Sequence, residues 1–325
     1  MYKDDRRPRW RAGSGVALLA GLCLLCPGPA EASEPRSRVV LNGQLVQVTF
    51  NDGDSFRVLA GDLKGAKARL AGYNTLESYG PVHQWGTWTE KEMYVLAKMA
   101  TLHARKGVWE CESDGSLDTY GRMLVWCPGL AEDLIRRGMA HVLTIDDAPG
   151  DATLVAAQRE AIEARRGLWS HGVPDFILTS LHSAEEDTTG TGTYNRLVSS
   201  DDGHTLTWKH TNRYSECDKV CFVNYEPLTP AEVAALLPTL MAEPRIAEIL
   251  GPLDEATRTK VVTDFAKFRL VDREVPKERR QELVELLRAY ADQGMFGTGE
   301  GKPSACMTHV DFKRRFGTGR AACLK

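Results

Sequence analysis

The sequence predicts a small β-barrel carrying helices, followed by a disulfide-bearing hairpin module with a mainly helical C-terminal block. Three observations carry that prediction. Residues 37–182 give strand signals first and helix signals after, the order expected when a curled sheet bears helices on one side. Residues 229–294 change character and show helical periodicity only. Cys111, Cys127, Cys217, Cys221, Cys306 and Cys323, an even number beyond the N-terminal segment, read as a disulfide framework. A chain of 325 residues suggests one or two domains, and 42% hydrophobic with 26% charged residues excludes a disordered or collagenous chain. The net charge of −3 excludes a protein that coats nucleic acid through a uniformly basic surface, while leaving room for a locally cationic site.

The elements follow in order. Val39–Phe50 is β-rich and reads as a strand, with shorter strands at Phe56–Leu59 and Ala66–Tyr73. Trp88–Arg105 places Met93, Leu96, Ala97, Met99 and Ala100 at helical spacing, with Thr89 or Thr87 as cap. Gly107–Glu112 and Arg122–Cys127 are two strands across a turn rich in Asp, Gly and Ser. Leu134–Met139 and Thr153–Arg166 read as helices, the second closing at Gly167. Residues 183–193 are polar and rich in Gly and Thr, so they read as a linker. Tyr194–Ser199 and His204–His210 flank Asp202-Gly203, a hairpin signal. Thr229-Pro230-Ala231-Glu232 is a capping box with Pro at the first helical position, and Pro276–Gln293 is the clearest helix of all.

The N-terminus reads as a targeting segment. Lys3, Arg6, Arg7, Arg9 and Arg11 precede an apolar run over 15–26, and Ala30-Glu31-Ala32 supplies a small-x-small cleavage site. A secretory signal peptide over 1–32 is expected, with a lipoprotein anchor at Cys23 or Cys26 as the weaker alternative. The destination is then the periplasm, cell surface or medium, with no stable membrane association after cleavage. Export agrees with disulfides. A zinc site on Cys217-x3-Cys221 with His204 or His210 is the competing use of two of the cysteines. Antiparallel pairing centred near residue 119 sets Cys111 opposite Cys127, so a disulfide is expected there, and the other four cysteines are expected to pair among themselves around the helical block.

Chemistry-bearing residues cluster in the first stretch. Asp52-Gly53-Asp54-Ser55 lies between two strands, and Asp-Gly alone marks a turn. Arg69 sits inside an otherwise apolar strand, where a guanidinium needs an anion. Asn74-Thr75-Leu76-Glu77 leaves that strand as a loop, and Asp118-Thr119-Tyr120-Gly121-Arg122 opens a later one. Taken singly, Arg69 with Glu77 is an ion pair and Arg122 with Asp118 is a turn brace.

In this order, with Asp133-Leu134, Gly138-Met139-Ala140 and Gly167-Leu168-Trp169, the residues resemble the staphylococcal (thermonuclease) nuclease family over roughly 37–182. The resemblance implies a five-stranded OB-fold barrel with three helices and a calcium-dependent phosphodiesterase acting on DNA and/or RNA. It further implies that Asp54, Asn74 and the Thr75 carbonyl hold the Ca2+ and that Asp52 supports them. Glu77 is the implied general base, and Arg69 and Arg122 clamp the phosphate. Those roles are physically coherent. A hard cation with oxygen ligands neutralises a phosphodiester, forked guanidiniums match its oxygens, and a nearby carboxylate takes a proton from water.

Departures from the pattern matter. Asn74 stands where the family usually has Asp, which removes a negative ligand, weakens the expected calcium binding and opens the site to other divalent metals. Leu76 replaces the usual Pro, which is expected to loosen the loop that aims Glu77. The base-stacking tyrosines expected after Ala140 are absent from His141-Val142-Leu143-Thr144-Ile145. Tyr79, His83, Trp85 and Trp88 crowd the stretch after Glu77 instead; with Tyr120, the Tyr and Trp residues are candidates for base stacking. Packing of these rings between loop and helix is the competing reading. The organisation expected is a nuclease domain over 37–182 and a Cys-containing module over 194–325, with no partner legible for block 229–294. A catalytically silent OB-fold module that binds nucleic acid or protein is the alternative to an exported nuclease.

Overall fold

Asn42-Gly43 turns the first β-rich run back on itself. Both residues have positive φ, 50° and 78°, the conformation that a two-residue hairpin demands and Asn-Gly readily supplies. The run expected as one strand is therefore two, β1 (Ser37–Leu41) and β2 (Gln44–Asp52), paired antiparallel. The computed structural model describes residues 37–187, 189–190, 192–297, 299–310 and 321–324. The targeting segment expected over 1–32 lies outside the described residues, as do two positions of the expected linker, 188 and 191.

β3 (Ser55–Val58) and β4 (Lys67–Leu70) continue the meander, and Gly72, with φ of 87°, separates β4 from β5 (Tyr73–Thr75). Then follow β6 (Val82–Trp85), α1 (Glu90–Lys106), β7 (Val108–Cys111), β8 (Met123–Val125), α2 (Pro128–Arg136), β9 (Ala140–Val142) and α3 (Ala152–Glu163). The main sheet runs β7-β1-β2-β3-β4-β8, with β7 parallel to β1 and β8 parallel to β4. This sheet has six strands rather than the five expected, because the hairpin at Asn42-Gly43 divides the first. Its two edges meet: Glu112 and Trp126 exchange backbone hydrogen bonds, both 2.8 Å, beside the Cys111–Cys127 disulfide. The covalent bond thus lies on the seam of a curled mixed sheet. Thr89 caps α1 in a reciprocal box with Glu92, and Ala100 and Ala104 pack that helix onto Phe50, Phe56 and Leu70.

The remaining chain is stitched into this frame rather than merely following it. β10 (Phe176–Thr179) pairs with the hairpin of β11 (Thr193–Ser199) and β12 (Thr205–His210). β13 (Lys219–Asn224) pairs with β14 (Lys302–Thr308), which in turn pairs with β6. Between β13 and β14 stand α4 (Pro230–Met241), α5 (Pro244–Leu250), α6 (Glu255–Phe268) and α7 (Lys277–Asp292), around a core of their own that includes Leu240, Val262, Phe265 and Leu283. Cys217–Cys323 and Cys221–Cys306 both span that helical block. The zinc alternative fails, since both candidate thiolates are consumed in disulfides. Three disulfides suit an oxidising, extracytoplasmic setting, and among the described residues no helix is long and apolar enough to cross a membrane.

The hairpin tip also fastens the loop after β9. Thr144 N donates to Gly203 O at 2.9 Å, Gly150 N to Asp202 O at 2.8 Å and Thr205 N to Asp146 O at 2.8 Å. From the helical block, Asp272 approaches the same tip. His204 Nδ1 lies 2.5 Å from Asp202 and Nε2 lies 2.8 Å from Asp272, while Arg273 meets Asp202 at 2.7 Å. Burial opposes a charge on His204, but hydrogen bonds to Asp272 and Asp202 more than reverse it, so its pKa is raised above 6.5. Desolvation likewise opposes the charges on Asp202 and Asp272, and the bonds to His204 overcome it, so both are lowered below 3.8.

The sign of the pH dependence follows. The raised His204 stabilises the fold fully below pH 6.5, and this contribution disappears as pH rises through its folded-state value. The lowered carboxylates stabilise it above pH 3.8 and cease to do so as pH falls through their folded-state values. Thermal unfolding measured from about pH 5 to 9 should therefore show wild type losing stability on the alkaline side relative to His204→Gln. Parallel curves would show that His204 is not the clamp.

Candidate active site

Strand register assembles the candidate site. β3 pairs with β4 so that Ser55 faces Arg69, which draws the β2–β3 turn and its Asp54 alongside the guanidinium. Leu70 N fixes the turn further by donating to Asp54 O at 2.8 Å. β5 then brings Asn74 and Thr75 to the same place. Arg69 forks between them, Nη1 at 2.7 Å from Asp54 Oδ1 and Nη2 donating to Asn74 Oδ1 at 2.6 Å. Thr75 N donates to Asp54 Oδ2 at 2.9 Å, and Asn74 Nδ2 to Thr75 O at 2.8 Å. Asp54, Asn74 and Thr75 are all buried.

Close approach of the turn to β5 depends on Gly53. A Cβ there would sit 2.5 Å from Thr75 Cγ2 and 3.1 Å from Ala100 Cβ. Tyr73 adds a further tie, its hydroxyl donating to Gly53 O at 2.9 Å. Neither Gly53 nor Tyr73 stood out in the sequence, where Asp-Gly reads as an ordinary turn.

The electrostatics are those of crowded carboxylates. Asp52, held by Ser55 Oγ at 2.5 Å, is pushed well above the usual carboxylate range by burial and then by Asp54 and Glu77. Burial works against the charge on Arg69, yet Asp54, Asp52 and Glu77 together raise its pKa. Glu77 therefore shares the field of the cluster, two residues beyond β5 and half-buried. One guanidinium faces three carboxylates.

The donors are of the kind that a hard divalent cation takes, while among the described residues no three His, Cys, Asp or Glu side chains are grouped to hold a metal by themselves. The candidate ligand atoms are all oxygens, namely the Asp54 carboxylate, Asn74 Oδ1 and Thr75 O with Asp52 behind them, and a carboxylate oxygen keeps a second lone pair after accepting one hydrogen bond. Thr75 Oγ1 is buried beside them with no hydrogen-bond partner among the described residues.

Arg122 is held apart from these contacts, by its own turn. It precedes β8, whose Leu124 pairs with Arg69, so Arg69 and Arg122 share one face of the parallel β4–β8 pair. No direct contact joins them. Asp118 organises the turn, accepting from Tyr120 N and Arg122 N at 2.9 Å through Oδ1 and from Arg122 Nε at 2.7 Å through Oδ2. The guanidinium is thus held by its Nε edge.

The aromatic wall divides. Trp85 is only 3% exposed, packed with Met93, Ala97 and Trp169, and Trp85 Nε1 donates to Leu168 O at 3.1 Å. Trp88 Nε1 donates to the same carbonyl at 3.0 Å, and its ring lies 4.1 Å from that of His171. These two tryptophans hold loop to helix, and Trp85 offers no face to a base. Tyr79 is half-buried with Lys98 Nζ 4.5 Å over its ring. Tyr120 is 72% exposed, its ring 5.4 Å from the Arg122 guanidinium carbon.

The expected looseness after Thr75 is not found. Leu76 is buried in the core with Trp85, Met93 and Trp169, Ser78 Oγ reaches Ala97 O and Thr101 on α1, and β14 pairs with β6 just beyond. Burial and sheet pairing replace the stiffness that a proline supplies. His141 is the residue that motif reading missed. It lies opposite Asn74 in the antiparallel β5–β9 pair, fully buried, and burial lowers its pKa to about 4.

Gly53→Ala should destabilise the protein by about 1–3 kcal/mol in denaturant unfolding, because the new methyl meets Thr75 Cγ2. Adding Thr75→Ser, which removes that methyl and keeps the backbone, should recover most of the loss. Failure of the second change to rescue the first would place the strain elsewhere.

No curated protein matches the chain. The family model described as staphylococcal nuclease homologue matches residues 67–171. The match begins at β4 and takes in Arg69, Asn74, Thr75, Glu77 and Arg122, while Asp52 and Asp54 precede it. Over that span, less than half of its length, the protein is similar to the staphylococcal nuclease homologues.

Proposed function

We propose that the protein is an exported, metal-dependent nuclease that hydrolyses phosphodiester bonds of DNA and/or RNA. On this reading residues 37–182 are an OB-type nuclease barrel and 194–325 a disulfide-tied module that supports it. The observation that carries the proposal is the convergence of Asp52, Asp54, Asn74 and Thr75 around one half-buried guanidinium, with Glu77 in the same field. An ion pair alone needs one carboxylate. A hydrolytic centre needs oxygen ligands, a base and cations for phosphate in one place.

Asp54, Asn74 and the Thr75 carbonyl would hold a calcium or other divalent ion, with Asp52 supporting them. Bound there, the ion supplies charge neutralisation and Lewis acidity at the phosphate. The protein's own residues do the rest. Arg69 turns its fork from Asp54 and Asn74 toward a phosphate oxygen. Arg122, held through Nε, presents its two Nη groups to the anion as a forked donor. Glu77 accepts the proton of the attacking water. Tyr120, exposed beside Arg122, offers a ring to an adjacent base.

A second reading has one observation in its favour. Asn74 in place of a carboxylate, with its amide already bonded on three sides, suits a silent domain that binds without cutting. Digestion of plasmid and single-stranded DNA by the oxidised protein separates the two. Cutting should require Ca2+, Mg2+ or Mn2+, stop with chelator, and fall about 10²–10⁴-fold in Glu77→Gln. A folded protein that binds DNA but does not cut it, whichever ion is supplied, would establish the silent reading.

A further inference from the structure

The carboxamide of Asn74 has two nearly equal shapes. Rotated by half a turn about its last bond, it exchanges a carbonyl oxygen, which attracts a cation, for an NH2 group, which repels one. A ligand of this kind works only if something behind it decides which end faces forward. A carboxylate at the same position has two equivalent oxygens and no such problem.

The structure supplies a group in the right place. His141 stands directly across β5–β9 from Asn74. Its Nδ1 lies 2.9 Å from Val142 O, a carbonyl that can only accept, so Nδ1 carries the ring proton. Nε2 is then an acceptor, and it lies 3.4 Å from Asn74 Nδ2. The other Nδ2 hydrogen goes to Thr75 O at 2.8 Å. One amide hydrogen therefore points back at His141 and the other at the Thr75 carbonyl, and Oδ1 is left facing Arg69 at 2.6 Å. A flipped amide would set NH2 against the Arg69 guanidinium and Oδ1 against both the Thr75 carbonyl and the Nε2 lone pair. Three contacts turn unfavourable together around a side chain that is itself buried.

We propose that His141 is a positioning residue: as an acceptor behind Asn74 it locks the amide with its carbonyl oxygen forward, and so lets an asparagine serve where a carboxylate would need no help. The proposal rests on the metal-dependent reading for its consequence, while the lock itself belongs to the protein without metal.

The test is calorimetric titration of the full oxidised chain with CaCl2 and with MnCl2, in a double-mutant cycle. His141→Leu removes the acceptor while keeping an apolar filling; its fold is checked by thermal unfolding. Cation affinity should fall about tenfold in His141→Leu, the effect expected for removing an outer partner of a ligand. His141→Gln, which keeps an acceptor, should recover part of it. In an Asn74→Asp background His141→Leu should cost no affinity, because a carboxylate has no wrong face. An equal loss in both backgrounds, or no loss in either, would overturn the lock. Should wild type bind neither cation, the metal-dependent reading falls, and the lock is judged by NMR of the metal-free protein. The Asn74 side-chain amide protons should be protected from exchange in wild type and unprotected in His141→Leu; equal protection would refute it.

Discussion

A guanidinium held in the protein against a carboxylate, Arg69 on Asp54, is the contact around which the candidate site is built. A charge in that position is tolerated only when paired, and removing one partner of such a pair costs about 3–5 kcal/mol. The requirement propagates outward. Asp54 must come close, so the β2–β3 turn must press on β5, so position 53 can carry no side chain. The second oxygen of Asp54 must also be satisfied, and the Thr75 amide does it. Arg69 has a second prong, and Asn74 takes it. The residues that look like a reaction centre are the same ones that make a half-buried cation against a buried carboxylate permissible.

This constraint also explains why so much of the chain outside the barrel is spent on holding β5 and its sequel still. Leu76 and Ser78 are buried immediately after Thr75. β14 pairs with β6, and the Cys221–Cys306 disulfide pins β14 to β13. On the far side, β9 is followed by a loop bonded to the tip of the β11–β12 hairpin, and His204 joins that tip to the helical block. The pieces lacking any motif are the ones that brace the piece that has them.

Much of this was legible in the sequence, and the illegible parts share a cause. Arg69, Asn74, Thr75, Glu77 and the Asp52–Asp54 turn declared themselves by spacing along the chain, and Cys111 met Cys127 because both lie equally far from one turn. β6, β9 and β14 did not declare themselves. Strands of three to seven residues are fixed by partners distant in sequence, and their local pattern carries little signal. His141 was invisible for the same reason, since its meaning lies in the residue across the ladder. Trp85 was ambiguous in another way: an aromatic ring suits a core and a base equally well, and its burial decides for the core. The Asn42-Gly43 hairpin carried a readable signal that the continuous apolar pattern around it concealed.

The pairing of β14 with β6 has a consequence for how the molecule comes into being. Chains emerge from the ribosome or export channel N-terminus first, and domains fold as they appear. β6 appears early, yet its sheet partner arrives only after the helices that separate β13 from β14. Until then the segment that follows Glu77 has an open edge, and the loop that carries Glu77 lacks its outer support. Contacts this far apart in sequence form slowly. A site braced in this order is complete only after β14 and Cys306 have joined the fold.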